Sequence, residues 1–278
     1  MSIPFASAAA AAQTTCSWWN RDRRGQGMSG RAWSPAMRSL DRRSLLRGAA
    51  AIGGLALPPA LAASPLGSVA LADDAFDLSA GVAGCGNVSF MFNVGSGYDP
   101  AYGILDTLSA YGLTQSMFVM GWLADQNPGL VQAIAARGHL VGTHGYDPPE
   151  LTLRSDDDVS WDIQAGINAV GNALGYSPSP WLTPFASASD GRVRSIANAL
   201  GQVIVGWSVT SGDWSPDATA DSIYSRCVGG AFDGAIFELH LDSQNSTSAT
   251  ATALPWIVDD LTSQGYRFVT IQQSAGGC

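Results

Sequence analysis

The residues able to do chemistry in this chain are concentrated in five short segments. They read FNVG at 92–95, THGYDPPEL at 143–151, LTPF at 182–185, WSVTSGDW at 207–214 and IFELH at 236–240. Imidazole and carboxylate groups such as those of His144, Asp213 and His240 can move protons or bind a divalent cation near neutral pH. Asn93 and Val94 can do neither, because an amide takes up no proton and an isopropyl group has no donor atom.

Alternating strand and helix patterns after residue 85 are expected to position these segments. Strand-like apolar runs lie at 88–93, 115–120, 139–143, 180–185, 203–209, 235–240 and 267–271. The clearest helix opens at Ser155 with acids in its first turn and keeps helical apolar spacing as far as Gly175. About seven strands with helical crossovers predict an α/β fold, a parallel (β/α) barrel. The five segments then lie at the carboxyl ends of strands, where such barrels build their sites.

The order of the segments resembles the NodB-homology polysaccharide deacetylases, over roughly residues 86 to 272. That family includes chitin and peptidoglycan N-deacetylases and acetylxylan esterases. The resemblance implies a distorted, NodB-like parallel barrel and hydrolysis of acetyl groups with a base, a divalent ion and a general acid.

The family's base and metal ligands are mostly replaced here. Its first motif carries an Asp base and then an Asp ligand, where this chain has Asn93 and Val94. Its second motif carries two His ligands, matched by His144 and replaced by Pro148. One of three protein ligands survives, so the water activation that such an ion provides is not expected.

The remaining motifs keep the acid side of the chemistry. The Arg that holds the base is replaced by Leu182, with Pro184 and Phe185 retained after it. The Asp-Trp motif is matched by Asp213 and Trp214, and the final His by His240. In the family that His is the general acid, with its pKa tuned by the Asp.

These replacements favour a glycan-engaging protein on a deacetylase scaffold, without metal-dependent hydrolysis and with no cofactor. His240, Asp213 and Asn93 occupy the catalytic positions, and His144 the remaining metal position. Chitin, peptidoglycan or xylan is the expected partner. Its sugar rings would contact the segment residues Tyr146, Trp181, Pro184, Phe185 and Trp214.

The alternative is an active polysaccharide deacetylase with a rebuilt site for Zn²⁺, Co²⁺ or Ni²⁺. The acids available near strand ends are Asp99, Asp147, Glu150 and Asp242. His139, which precedes a strand, is expected to be a structural or surface residue instead.

Charge excludes some partners. All 14 basic residues are Arg. Eight of them lie before residue 72, together with two of the 23 acids. The remaining residues therefore have 6 basic and 21 acidic side chains, a formal net charge of −15. Such a body does not bind nucleic acid or an anionic membrane face through bulk charge. Neutral glycans and cationic partners remain open.

Residues 1–72 are predicted to be a leader, followed by one deacetylase-like domain at 73–278. Arg42 and Arg43 precede a mildly apolar stretch, which resembles a twin-arginine export signal over about 37–72. That stretch is too short and Gly-rich for a stable membrane span. Residues 1–36 fit an overlong gene start, with Met28 or Met37 as the true one, or an organelle transit segment. The expected destination is the cell envelope or exterior, or otherwise an organelle lumen.

Three cysteines lie beyond this leader. Cys85 comes just before the first strand and Cys278 after the last. Because chain ends come close together in a barrel, a Cys85–Cys278 disulfide is expected. Cys227 is then a buried thiol on a helix.

Overall fold

The computed structural model describes residues 76–278. The predicted leader, including the twin-arginine pair, lies outside them. Within the described residues, no helix combines the length and apolar character that crossing a bilayer requires.

Eight parallel strands form one curled sheet, which confirms the predicted α/β barrel class. The strands are β1 (Asn87–Val94), β2 (Ser116–Val119), β3 (Leu140–Thr143), β4 (Trp181–Leu182), β5 (Val203–Ile204), β6 (Val209–Thr210), β7 (Ile236–His240) and β8 (Arg267–Phe268). Their order is β5-β4-β3-β2-β1-β7-β6, and β8 pairs with the start of β1.

The run predicted as one strand at 203–209 is two strands at opposite ends of the sheet. β5 pairs with β4, and β6 pairs with β7. The chain leaves the sheet at Gly206, where a Cβ would come 2.9 Å from the Phe76 ring. Residues 205–208 therefore bridge the opening of the distorted barrel. The outer edge of β5 is covered by Asp77 and Leu78, whose amides donate to the Ile204 carbonyl.

Eight α-helices lie within residues 76–278; seven of them connect strands, and the last follows β8. They are α1 (Tyr102–Ala110), α2 (Gly121–Gln126), α3 (Pro128–Ala136), α4 (Asp156–Leu174), α5 (Gly191–Ala199), α6 (Ala220–Gly229), α7 (Ala251–Ser263) and α8 (Ile271–Gly276). The longest, α4, has the ends that its sequence predicts. The Ser155 side chain accepts from the Asp158 amide, and Gly175 closes the helix in the left-handed conformation.

The two faces of β1 pack into different apolar clusters. Phe90, Phe92 and Val94 belong to the large core shared with the helices. Met91 packs with residues of other strands, including Phe118, in a second cluster inside the barrel. Asn93 alternates onto the same inner face as Met91. The inner face at the end of β1 therefore leads to the barrel mouth.

The predicted disulfide is present. Cys85 and Cys278 are bonded, with Cα atoms 5.5 Å apart, and Cys227 is a buried free thiol on α6. Both outcomes match the sequence prediction.

Candidate active site

Asp213 and His240 form a buried pair at the carboxyl ends of β6 and β7. His240 Nδ1 lies 2.7 Å from Asp213 Oδ1, and the His240 amide donates to Asp213 Oδ2 at 2.9 Å. Thr250 also donates to Asp213 Oδ2, at 3.2 Å. These contacts fix the carboxylate and orient the imidazole so that Nε2 points away from it.

His240 is held in its charged form. Burial alone would lower its pKa, but the charge and hydrogen bond of Asp213, followed by the charges of Glu238 and Asp242, raise it to about 9. The imidazole is therefore protonated at neutral pH and can donate from Nε2 to a ligand carbonyl.

Glu238 is a third member of this group that the motif comparison missed. It lies two residues before His240, on the same inner face, and is almost fully buried. Its Oε1 is 3.9 Å from His240 Nε2, and its Oε2 accepts from the Thr210 hydroxyl at 2.7 Å. Burial raises the Glu238 pKa, which His240 and Thr210 oppose. The sequence did contain a signal for Glu238: it is an acidic residue in an otherwise apolar strand, on the same face as His240.

Asn93 lies beside His240. The two residues are register partners on β1 and β7, and the Leu241 amide donates to the Asn93 carbonyl at 3.0 Å. The Asn93 side chain is 3% exposed, and its buried Oδ1 has no hydrogen-bond partner among the described contacts. The family's base position is thus occupied by an unpaired neutral acceptor.

His144 lies just after β3 and is also buried. Its Nδ1 donates to the Thr183 carbonyl at 2.6 Å, and the Phe185 ring lies 6.2 Å from the imidazole. Burial lowers the His144 pKa to about 4; the Thr183 contact opposes this and the His240 charge adds to it. His144 is therefore neutral near pH 7, with Nε2 left as an acceptor.

Val94 and Leu182 face away from this group. Both are fully buried in apolar surroundings, Val94 in the main core and Leu182 in a cluster with Ile163, Val193 and Ile204. Two of the family's functional positions thus contribute to packing between strands and helices.

The loop that contains Pro148 is anchored by a buried ion pair. Asp162 of α4 accepts from the Tyr146 and Asp147 amides at 3.0 and 3.1 Å. Arg154 donates to Asp162 Oδ2 at 2.9 Å and contacts the Asp147 carboxylate at 3.1 Å. Burial raises the Asp162 pKa, while the two amides and Arg154 lower it. These contacts fix the loop geometry through protein groups.

The aromatic residues named from the sequence occupy different surroundings. Phe185 lies near His144, and Trp214, 43% exposed, follows Asp213 directly. Trp181 packs in the inner apolar cluster, and Pro184 is buried. The Tyr146 hydroxyl donates to Asp125 of α2, and its ring contacts Trp161 of α4. Phe185 and Trp214 are thus the two aromatics of this set beside His144 and Asp213.

The donor set does not fit the divalent ion of the family. Asp242 is committed to the Gly95 and Gly97 amides, at 2.9 to 3.1 Å. Asp147 pairs with Arg154, and Asp99 is exposed. Across residues 76–278, no three His, Cys, Asp or Glu side chains are grouped so that they could hold one metal ion. Only His144 offers an imidazole at a family ligand position.

His139 lies elsewhere and is buried, which favours a structural role over a surface position. Its Nδ1 accepts from the Gln115 amide at 3.1 Å. Burial, with a smaller contribution from Arg137, lowers its pKa to about 4.

The chain is similar to known proteins of one family. The family model for polysaccharide deacetylase matches residues 81–205. A peptidoglycan-N-acetylglucosamine deacetylase of Bacillus cereus is 30% identical over 180 residues, which cover 64% of this chain and 83% of that protein. The chain spans 39% to 66% of the length of the first curated relatives.

Solved structures agree. The Bc1960 peptidoglycan N-acetylglucosamine deacetylase superposes with a TM-score of 0.68 at 26% identity, covering 72% of this chain and 93% of that one. BA3943 of Bacillus anthracis, described as a CE4 family pseudoenzyme, shares the fold with a TM-score of 0.66 at 23% identity over 70% and 67% of the two chains. Sequence, motif order and fold thus agree that the chain belongs to the polysaccharide deacetylase family.

Proposed function

We propose that this chain is an exported glycan-binding member of the family that has lost metal-dependent hydrolysis. The observation that carries the proposal is the intact Asp213–His240 pair beside Asn93, an amide at the position of the base. Hydrolysis requires a group that takes a proton from water near neutral pH. Asn93 cannot do so, and a His144 with a pKa of about 4 holds a proton too weakly.

An acetylated glycan is the ligand class that these groups suit best. The charged His240 can donate a hydrogen bond to an acetyl carbonyl, and Phe185 and Trp214 offer aromatic faces to sugar rings. The relatives named above as peptidoglycan N-acetylglucosamine deacetylases support N-acetylated glycan. We call the strand-end site formed by Asn93, His144, Phe185, Asp213, Trp214 and His240 the cleft. Binding without turnover then follows, because the cleft keeps the acid and ring contacts but lacks a base.

Calorimetric titration with an N-acetylglucosamine tetramer tests this proposal. Trp214→Ala should weaken binding about tenfold, since an aromatic contact of this kind contributes on the order of 1.4 kcal/mol. Trp161→Ala is the matched control, because Trp161 is an exposed tryptophan on α4, 58% exposed. Equal affinities for the wild type and Trp214→Ala, or no binding by the wild type, would contradict a glycan-binding cleft.

Export is proposed to follow the twin-arginine route. Arg42→Lys together with Arg43→Lys should stop translocation, because the pair is read by a receptor and a change that keeps the charge removes the signal. Fractionation of cells expressing each form measures the effect. Arg23→Lys with Arg24→Lys is the control, and unchanged export of the first double variant would show that another route is used.

A further inference from the structure

A groove on the outer helices lies apart from the strand-end cleft. It has a volume of about 550 Å³ between α6 and α7. The residues that line the groove lie on one face of each helix, as helical spacing requires. Asp221 and Tyr224 are three residues apart on α6, and the lining residues of α7 recur at intervals of three and four. Those α7 residues are Trp256, Asp259, Asp260 and Ser263.

Two aromatic rings form one end of the groove. Tyr224 and Trp256 meet edge to face, with ring centroids 6.3 Å apart and planes at 80°. The Tyr224 hydroxyl donates to Asp260 Oδ2, which holds the ring in place across the groove. Trp256 is 42% exposed. Its indole is thus partly open to solvent beside the carboxylates.

The groove carries negative charge without a protein cation. Asp259 Oδ1 accepts from the Tyr111 hydroxyl at 2.9 Å, and Asp260 Oδ1 accepts from the Gln264 amide at 3.0 Å. None of the ion pairs within residues 76–278 includes Asp221, Asp259 or Asp260. Hydrogen bonds from Tyr224 and then Gln264 lower the pKa of Asp260, so this acid stays ionised at neutral pH.

Carboxylates beside an exposed indole complement an organic ammonium group. The carboxylates attract the charge, and the indole face adds a cation–π contact, for which Trp is the best side chain. A neutral acetamide gains neither interaction, and an anionic glycan is repelled.

We propose that this groove binds glycan units whose amine is free, with the ammonium over the Trp256 indole and between Asp221 and Asp259. The choice of a sugar as carrier of the ammonium rests on the proposed glycan-binding function. The chain then recognises both states of an amino sugar, the acetylated one at the cleft and the de-N-acetylated one at the groove.

Titration of the full chain with a glucosamine tetramer tests the proposal. Trp256→Ala, and separately Asp221→Asn with Asp259→Asn, should each weaken binding about tenfold. The wild-type affinity should fall as salt rises, because exposed charges are screened. Trp161→Ala and Asp157→Asn on α4 are matched controls and should leave the affinity unchanged.

Two further sugars separate this proposal from the preceding one. Cellotetraose, which is neutral, should not bind at the groove, and Trp256→Ala should not alter binding of the N-acetylglucosamine tetramer. If Trp256→Ala and the double variant Asp221→Asn with Asp259→Asn bind the glucosamine tetramer as tightly as the wild type, the proposed groove site is wrong. If the wild type does not bind the N-acetylglucosamine tetramer but the groove variants behave as expected, the proposed cleft function is wrong and the proposed groove site is supported.

Discussion

The purified protein should release no detectable acetate from chitin oligomers, peptidoglycan or acetylated xylan, with or without added Zn²⁺, Co²⁺ or Ni²⁺. General acid–base catalysis alone contributes about 10² to 10⁴ in rate, and a metal ion adds several kcal/mol of transition-state stabilisation. Asn93 removes the base from the acid–base contribution, and Val94 with Pro148 removes two of the three ligands on which the metal contribution depends. Acetate release is measured enzymatically, and metal retention by elemental analysis after dialysis. Metal-dependent turnover that His240→Ala abolishes would overturn the proposed function in favour of a rebuilt catalytic site.

Reinstating the family residues provides the matched test of that expectation. The double variant Asn93→Asp with Pro148→His restores a carboxylate and an imidazole at family positions without placing a charge in an apolar cluster. Val94→Asp and Leu182→Arg place charges in fully buried apolar clusters, at a cost of about 3–5 kcal/mol each if they stay unpaired. The double variant should therefore fold more stably than the quadruple one in urea. Val94 faces the main core, so Zn²⁺ retention by the variant with all four changes requires that the end of β1 turns the new carboxylate toward His144. That retention should appear before acetate release, since ion binding requires the ligands alone.

The free energy of unfolding should fall by about 3 kcal/mol between pH 6.5 and pH 9, through His240. The folded pKa of His240 is raised to about 9 from 6.5. Stability from a raised His pKa is complete below pH 6.5 and is lost as the pH rises through 9. His144 and His139 have lowered pKa values near 4, so their stabilisation is present above pH 6.5 and lost only on acidification.

Urea denaturation at several pH values measures this change. Asp213→Asn removes the principal charge that raises the His240 pKa, so its stability should vary much less across this window. His139→Gln is the control and should keep the wild-type pH dependence. A wild type whose stability does not fall between pH 6.5 and 9 would show that Asp213 does not hold His240 in its charged form.

Strand positions were predictable because both faces of these strands are buried, which gives continuous apolar runs. The run at 203–209 shows the limit of this signal. Continuous apolar character cannot reveal that the chain leaves the sheet at Gly206, where the Phe76 ring occupies the space of a side chain. That contact joins residues 130 positions apart, so no local pattern encodes it.

The candidate site was predictable in its members but not in their orientation. Motif spacing identified Asp213 and His240, which are in contact. It also placed Leu182 among the functional positions, although its side chain packs against α4 and α5. Glu238 was missed because the family motif treats its position as apolar, and Asp162 because it reaches the loop from the middle of α4.

The covering of β5 by Asp77 and Leu78 has a consequence for behaviour at high concentration. Exposed strand edges offer unpaired amides and carbonyls that recruit strands of other molecules. Here the Ile204 carbonyl accepts from both residues, and the Gly206 amide donates to the Leu78 carbonyl. A short segment at the start of the described residues thus covers this edge, so trimming it should expose the unpaired groups of β5 and increase the tendency to aggregate.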